Sequence, residues 1–156
     1  MILKLADWVF DVDVEATAAH TKKNATDHCT CGYCRNYYEA VERTYPELIQ
    51  FLRRFGVDYN GPSELMPFEP TYLLACYRVH GKVVNWGKHP LEESNIPVVV
   101  ELAENDTFFL WIGEVELPWL QEEDMDEVVS PANLPEFMER MEEVWILRHG
   151  ENVTFS

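Results

Sequence analysis

From Trp8 to Glu15 the chain alternates without a break. Trp8, Phe10, Val12 and Val14 fall on one side, and Val9, Asp11, Asp13 and Glu15 on the other. A period of two predicts a strand with one buried and one solvated face. The segment from Ala18 to Asp27 is polar and aperiodic and reads as a loop or frayed turn. From Cys34 the apolar positions recur in steps of three and four (Tyr37, Tyr38, Val41, Tyr45, Leu48, Leu52, Phe55), a single helical face about six turns long. Pro46 interrupts it, and Thr44-Tyr45-Pro46-Glu47 has the form of a capping box with proline in the first turn. Two helices, or one kinked helix, ending at Gly56 are therefore expected.

Asn60-Gly61-Pro62 to Pro70 is rich in turn residues and is read as a loop. Beyond it the period becomes extended. Tyr72–Val79 and Lys82–Trp86 are expected to pair around His80-Gly81, and Pro97–Ala103 with Thr107–Leu117 around Glu104-Asn105-Asp106. A last helix is expected over residues 131–147, with Leu134, Phe137, Met138, Met141, Val144 and Trp145 on its apolar side. No repeat or linker divides the chain. The order predicts one α+β domain over residues 1–156, a mainly antiparallel sheet with an N-terminal helical segment and a C-terminal helix packed on it.

The 156 residues are 47% hydrophobic and 13% aromatic, enough for a packed core. The formal charge is −16, from 28 acidic against 12 basic residues. Such a balance opposes non-specific binding to nucleic acid or anionic lipid and leaves open a basic protein partner or bound cations. The acidity is uneven, because Glu114 to Glu143 alone carries a net −10. The first sixteen residues form no signal-like apolar core, and the apolar runs at Ile96–Val100 and Phe108–Ile112 are strand-sized, so a cytoplasmic location and no membrane span are expected.

Chemistry concentrates at His28, Cys29, Cys31 and Cys34, at the predicted helix start. Three thiols at C-x-C-x2-C spacing can share one soft ion, with zinc the candidate cofactor. Thiolates there also meet the positive end of the helix dipole. Zinc wants a fourth ligand, for which His28, His20, Cys76 and His80 are the candidates, or else a water. Cysteine is equally a small hydrophobe, and packing of such thiols beneath a helix is their commoner fate. As a thiol enzyme the cluster lacks a partner base in a recognisable context beyond His28. Asp11, Asp13 and Glu15 along one strand face can bind a cation, although acidic residues on a wet edge are more common. Trp119, beside Gln121-Glu122-Glu123-Asp124, suits an interface anchor or a loop residue folded on the sheet.

The motif Cys29-Thr30-Cys31-Gly32-Tyr33-Cys34-Arg35-Asn36-Tyr37-Tyr38, with Phe10-Asp11-Val12-Asp13 before it and Glu116-Leu117-Pro118-Trp119 after the strands, resembles a group of small acidic bacterial proteins. The resemblance implies a bacterial cytosolic protein and supplies no catalytic residue or substrate. In composition the chain is also similar to immunity proteins of bacterial toxin systems, which are often small acidic α+β domains. Two readings follow. One is a non-enzymatic acidic module docking a basic protein partner; the other is a small zinc-binding protein using Cys29, Cys31 and Cys34, structurally or catalytically.

Overall fold

The computed structural model describes residues 1–27, 29, 31–69 and 72–121. The expected helix at 131–147 lies outside them, as does His28. The strands are β1 (Ile2–Leu5), β2 (Trp8–Val12), β3 (Glu64–Glu69), β4 (Tyr72–Asn85), β5 (Leu91–Glu93), β6 (Ile96–Leu102) and β7 (Thr107–Glu116). Between β2 and β3 run three helices, α1 (Val14–Thr26), α2 (Gly32–Thr44) and α3 (Pro46–Arg54). All pairings are antiparallel, in the order β1-β2-β4-β7-β6-β5, with β3 also on β4. This is the expected α+β domain with an N-terminal helical segment.

Alternation along β4 and β7 gives the sheet two apolar faces. Leu73, Ala75, Tyr77 and Val79, with Phe108, Leu110 and Ile112, belong to the main core under α2 and α3, alongside Tyr37, Val41, Leu48, Leu52 and Phe55. Phe10 stacks on Phe108 at 5.4 Å and meets Phe55 edge-on at 5.2 Å. Leu74, Cys76, Val99 and Trp111 form a smaller cluster from the alternate positions.

Several local expectations are corrected. No hairpin forms at His80-Gly81; β4 runs straight through, bound to β7 up to His80 and to β2 from Gly81 onwards. Gly81 (φ +150°) changes the partner strand, and a Cβ there would lie 2.2 Å from the Asp11 carbonyl oxygen. The first strand stops at Val12, and the polar stretch after it is α1. Asp13 is the N-cap, its Oδ1 accepting from the Ala16 N–H at 3.0 Å, and Glu15 lies in the first turn. Asp11, Asp13 and Glu15 are thus no strand row. They line a hollow of about 870 Å³ together with Arg53, Arg54 and Lys82.

α1 escaped the apolar pattern because its buried positions are Thr17 and Thr21. Their hydroxyls donate to backbone carbonyls one turn back and accept the His80 and Asp58 N–H groups at 2.9 Å each. Polar side chains thereby dock a helix without an apolar stripe. β1 and β3 were likewise unforeseen, while the β6–β7 hairpin forms as expected, with Asn105 and Asp106 at positive φ. At Pro46 the chain makes two helices. No capping box closes there, because the Thr44 hydroxyl donates to the Ala40 carbonyl and Tyr45, the α3 N-cap, makes no side-chain cap bond.

Candidate metal centre

α2 opens on Cys31, which is the N-cap, extended (φ −64°, ψ 164°) and without a side-chain cap bond. No acidic residue occupies the first turn. Cys34 lies in that turn and is buried, Cys31 is half-buried, and Cys29 is exposed just ahead. The extended N-cap turns the chain so that all three sulfurs lie within 4.8 Å of one another. The three cysteines are close enough to bind one metal ion, as their spacing predicts. All are free thiols.

The sulfurs are not equivalent. The Cys31 N–H donates to Cys29 Sγ at 3.4 Å. That bond, followed by one with the Cys31 thiol, lowers the Cys29 pKa from its ordinary value. Burial, then the neighbouring Cys31 sulfur, pushes Cys34 far up. Tyr33, between them in sequence, is pushed up to about 12, first by burial and then by the charge of Cys31. The trio therefore pairs an exposed thiol whose ionisation a backbone N–H eases with a buried one whose ionisation burial opposes.

Cys29 and Cys34 border a groove of about 640 Å³ whose walls include His20, Asp27, Glu64 and Arg78. His20 therefore shares the groove with the thiols, and its ring lies 5.3 Å from that of His80. Burial, then the charge of His80, lowers the His20 pKa. Cys76 is 1% exposed among Leu74, Val99 and Trp111, and neither it nor His80 joins the sulfur group. Arg78 lies 4.7 Å from the Phe109 ring centroid, a cation–π contact at the groove's edge.

Asn36, named above only as part of the motif, has a structural role that the sequence did not assign. It is fully buried two residues after Cys34. Its Nδ2 donates to the Pro118 carbonyl at 3.0 Å and its Oδ1 accepts the Leu120 N–H at 2.7 Å. Arg35 adds a bond from Nε to Gln121 Oε1 at 3.4 Å. The Arg-Asn pair thus staples the start of α2 to the segment after β7, on both sides of Trp119. An amide sitting between Cys34 and Tyr37 on an otherwise apolar face was the available signal. Among the described residues no helix is long and apolar enough to cross a membrane. Comparisons with protein-family models, curated proteins and solved structures find no match.

Proposed function

We propose that this chain is a small metal-binding domain in which Cys29, Cys31 and Cys34, as thiolates, hold one zinc ion that braces the start of α2. The convergence of three sulfurs within 4.8 Å carries this reading. Zinc–sulfur bonds of about 2.3 Å place tetrahedral ligands about 3.8 Å apart, so the trio needs to close by no more than about 1 Å. Three thiolates suit a soft ion better than magnesium or calcium. The fourth position takes a donor from the groove (His20, Asp27 or Glu64), His28, or water. The role is structural, and no base–nucleophile pair is invoked.

Protein made without affinity metal or chelator should contain about one zinc per chain, and cobalt substitution should give a thiolate charge-transfer band. Cys31→Ser should lower metal content and melting temperature together. Metal-free wild type, with a Cys31→Ser variant equally stable, would return the thiols to ordinary packing.

A second reading concerns the acidic surface and is compatible with the first. Glu114 and Glu116 are exposed at the end of β7, and Leu120 nearby is 40% exposed. These head the −10 stretch and support docking to a basic protein partner in the cytoplasm. Capture of such a partner should weaken from low to high salt, and salt-indifferent capture would count against it.

A further inference from the structure

We propose that Cys29 and Cys34 are a peroxide-sensitive thiol pair whose disulfide removes two of the three metal ligands at once. The chemistry stands on the thiol geometry alone, whereas its consequence, release of the ion, rests on the zinc reading above.

Three observations assign the roles. Cys29 is the one exposed thiol of the trio, and its sulfur accepts the Cys31 N–H at the start of α2. A sulfur open to solvent is the one that hydrogen peroxide reaches first. Cys34 is 4% exposed, shielded from the oxidant, yet its sulfur lies within 4.8 Å of that of Cys29. Finally, Cys29 and Cys34 both border the groove, and Cys31 does not. The groove gives their sulfurs room to swing together. Cys31 is separated from Cys29 by a single residue, and closing so small a ring strains the bond angles and dihedral a disulfide requires.

In the first step Cys29 Sγ attacks one peroxide oxygen and the O–O bond breaks. The departing hydroxide takes a proton and leaves as water, and Cys29 is left as a sulfenic acid. Cys34 Sγ then attacks the Cys29 sulfur. The S–S bond forms, the S–O bond breaks, and the hydroxyl leaves as a second water with the Cys34 proton. Two thiols have lost two electrons to one peroxide, and a dithiol reductant reverses the change. One thiolate, Cys31, cannot retain zinc alone.

The test uses the full chain in two forms, chelator-treated and zinc-loaded, exposed to hydrogen peroxide. In the chelated protein the four free thiols should fall to two, with peptides 29 and 34 cross-linked in the mass spectrum. Cys29→Ser should slow thiol loss by at least about tenfold, since the one exposed sulfur is gone. Cys34→Ser should leave Cys29 as a sulfenic acid trapped by a dimedone probe, and Cys31→Ser should still form the bond. Zinc-loaded protein should release its ion in step with the disulfide and rebind it after reduction. A bond to Cys31, an intermolecular dimer, or unchanged kinetics in Cys29→Ser would overturn the pair. A disulfide formed in protein that takes up no zinc would support the pair and sink the metal reading, while zinc binding with no disulfide would do the reverse.

Discussion

Two helix starts in this chain solve the same problem differently. α1 begins with Asp13, whose carboxylate accepts the Ala16 N–H, and follows it with Glu15. One of its free N–H groups and its positive dipole end are met by its own sequence. α2 begins with Cys31, which makes no side-chain cap bond, and carries no acid in its first turn. In place of carboxylates it presents three sulfurs and a buried amide two residues on. A carboxylate cap is complete with the proton gone and nothing bound. Thiols are complete only when ionised or metallated, so the second start is conditional where the first is not.

The largest test of that contrast is metal linkage. With free zinc at a thousand times its dissociation constant, wild type should gain about 4 kcal/mol over chelated protein in urea unfolding. Cys31→Ser and Cys34→Ser should lose this gain and resemble chelated wild type, whereas Asp13→Ala should keep it. An Asp13→Ala variant that loses zinc, or cysteine variants that retain the full gain, would erase the distinction between the two starts.

Next in size is the staple. Asn36→Ala removes a buried amide and leaves the Pro118 carbonyl and Leu120 N–H without their partner, which costs about 1–3 kcal/mol. Asp13→Ala should cost about 1 kcal/mol, the usual loss for a capping side chain. Both are read in chelated protein by urea midpoint. Asn36→Ala should also lower zinc affinity, because it loosens the turn that aims Cys34, and Asp13→Ala should not. Equal zinc affinity in all three proteins would show that the α2 start is rigid without its staple.

What the chain revealed in advance follows the same divide. Apolar periodicity exposed β2, α2, α3 and the β6–β7 hairpin, because each buries hydrocarbon at fixed intervals. It missed α1, which docks through Thr17 and Thr21 and so hides its buried face among polar letters. It broke β4 at His80-Gly81, because a Gly after a polar residue reads as a turn; the strand instead changes partners there. The cysteine spacing did disclose the thiol cluster, since six residues can hardly separate three thiols widely. The groove was not legible. His20, Glu64 and Arg78 come from three different elements and meet only once β3 has paired with β4.

The smallest effect is a pH slope in the metal-free protein, and it separates the thiols of one site from each other. Burial raises Cys34 above its unfolded value, so near pH 8–9 the unfolded chain loses that proton while the folded chain keeps it. Stability then falls as pH rises, by at most about 1.4 kcal/mol per pH unit for a single proton. Cys29 acts oppositely. The Cys31 N–H lowers its folded value, so the folded chain gives up that proton first and stability rises with pH above it. Cys29 acts below the ordinary thiol pKa of about 8.5 and Cys34 above it, so metal-free wild type should be most stable by urea unfolding near that pH and less stable on either side. Cys29→Ser should lose the rise below that pH and keep the decline above it; Cys34→Ser should keep the rise and lose the decline. Asp13→Ala should shift the whole curve down without changing its shape, because it removes a cap and leaves both thiols in place. If all four proteins share one slope, the start of α2 titrates no differently from the start of α1, and the thiols are as unconditional as the aspartate.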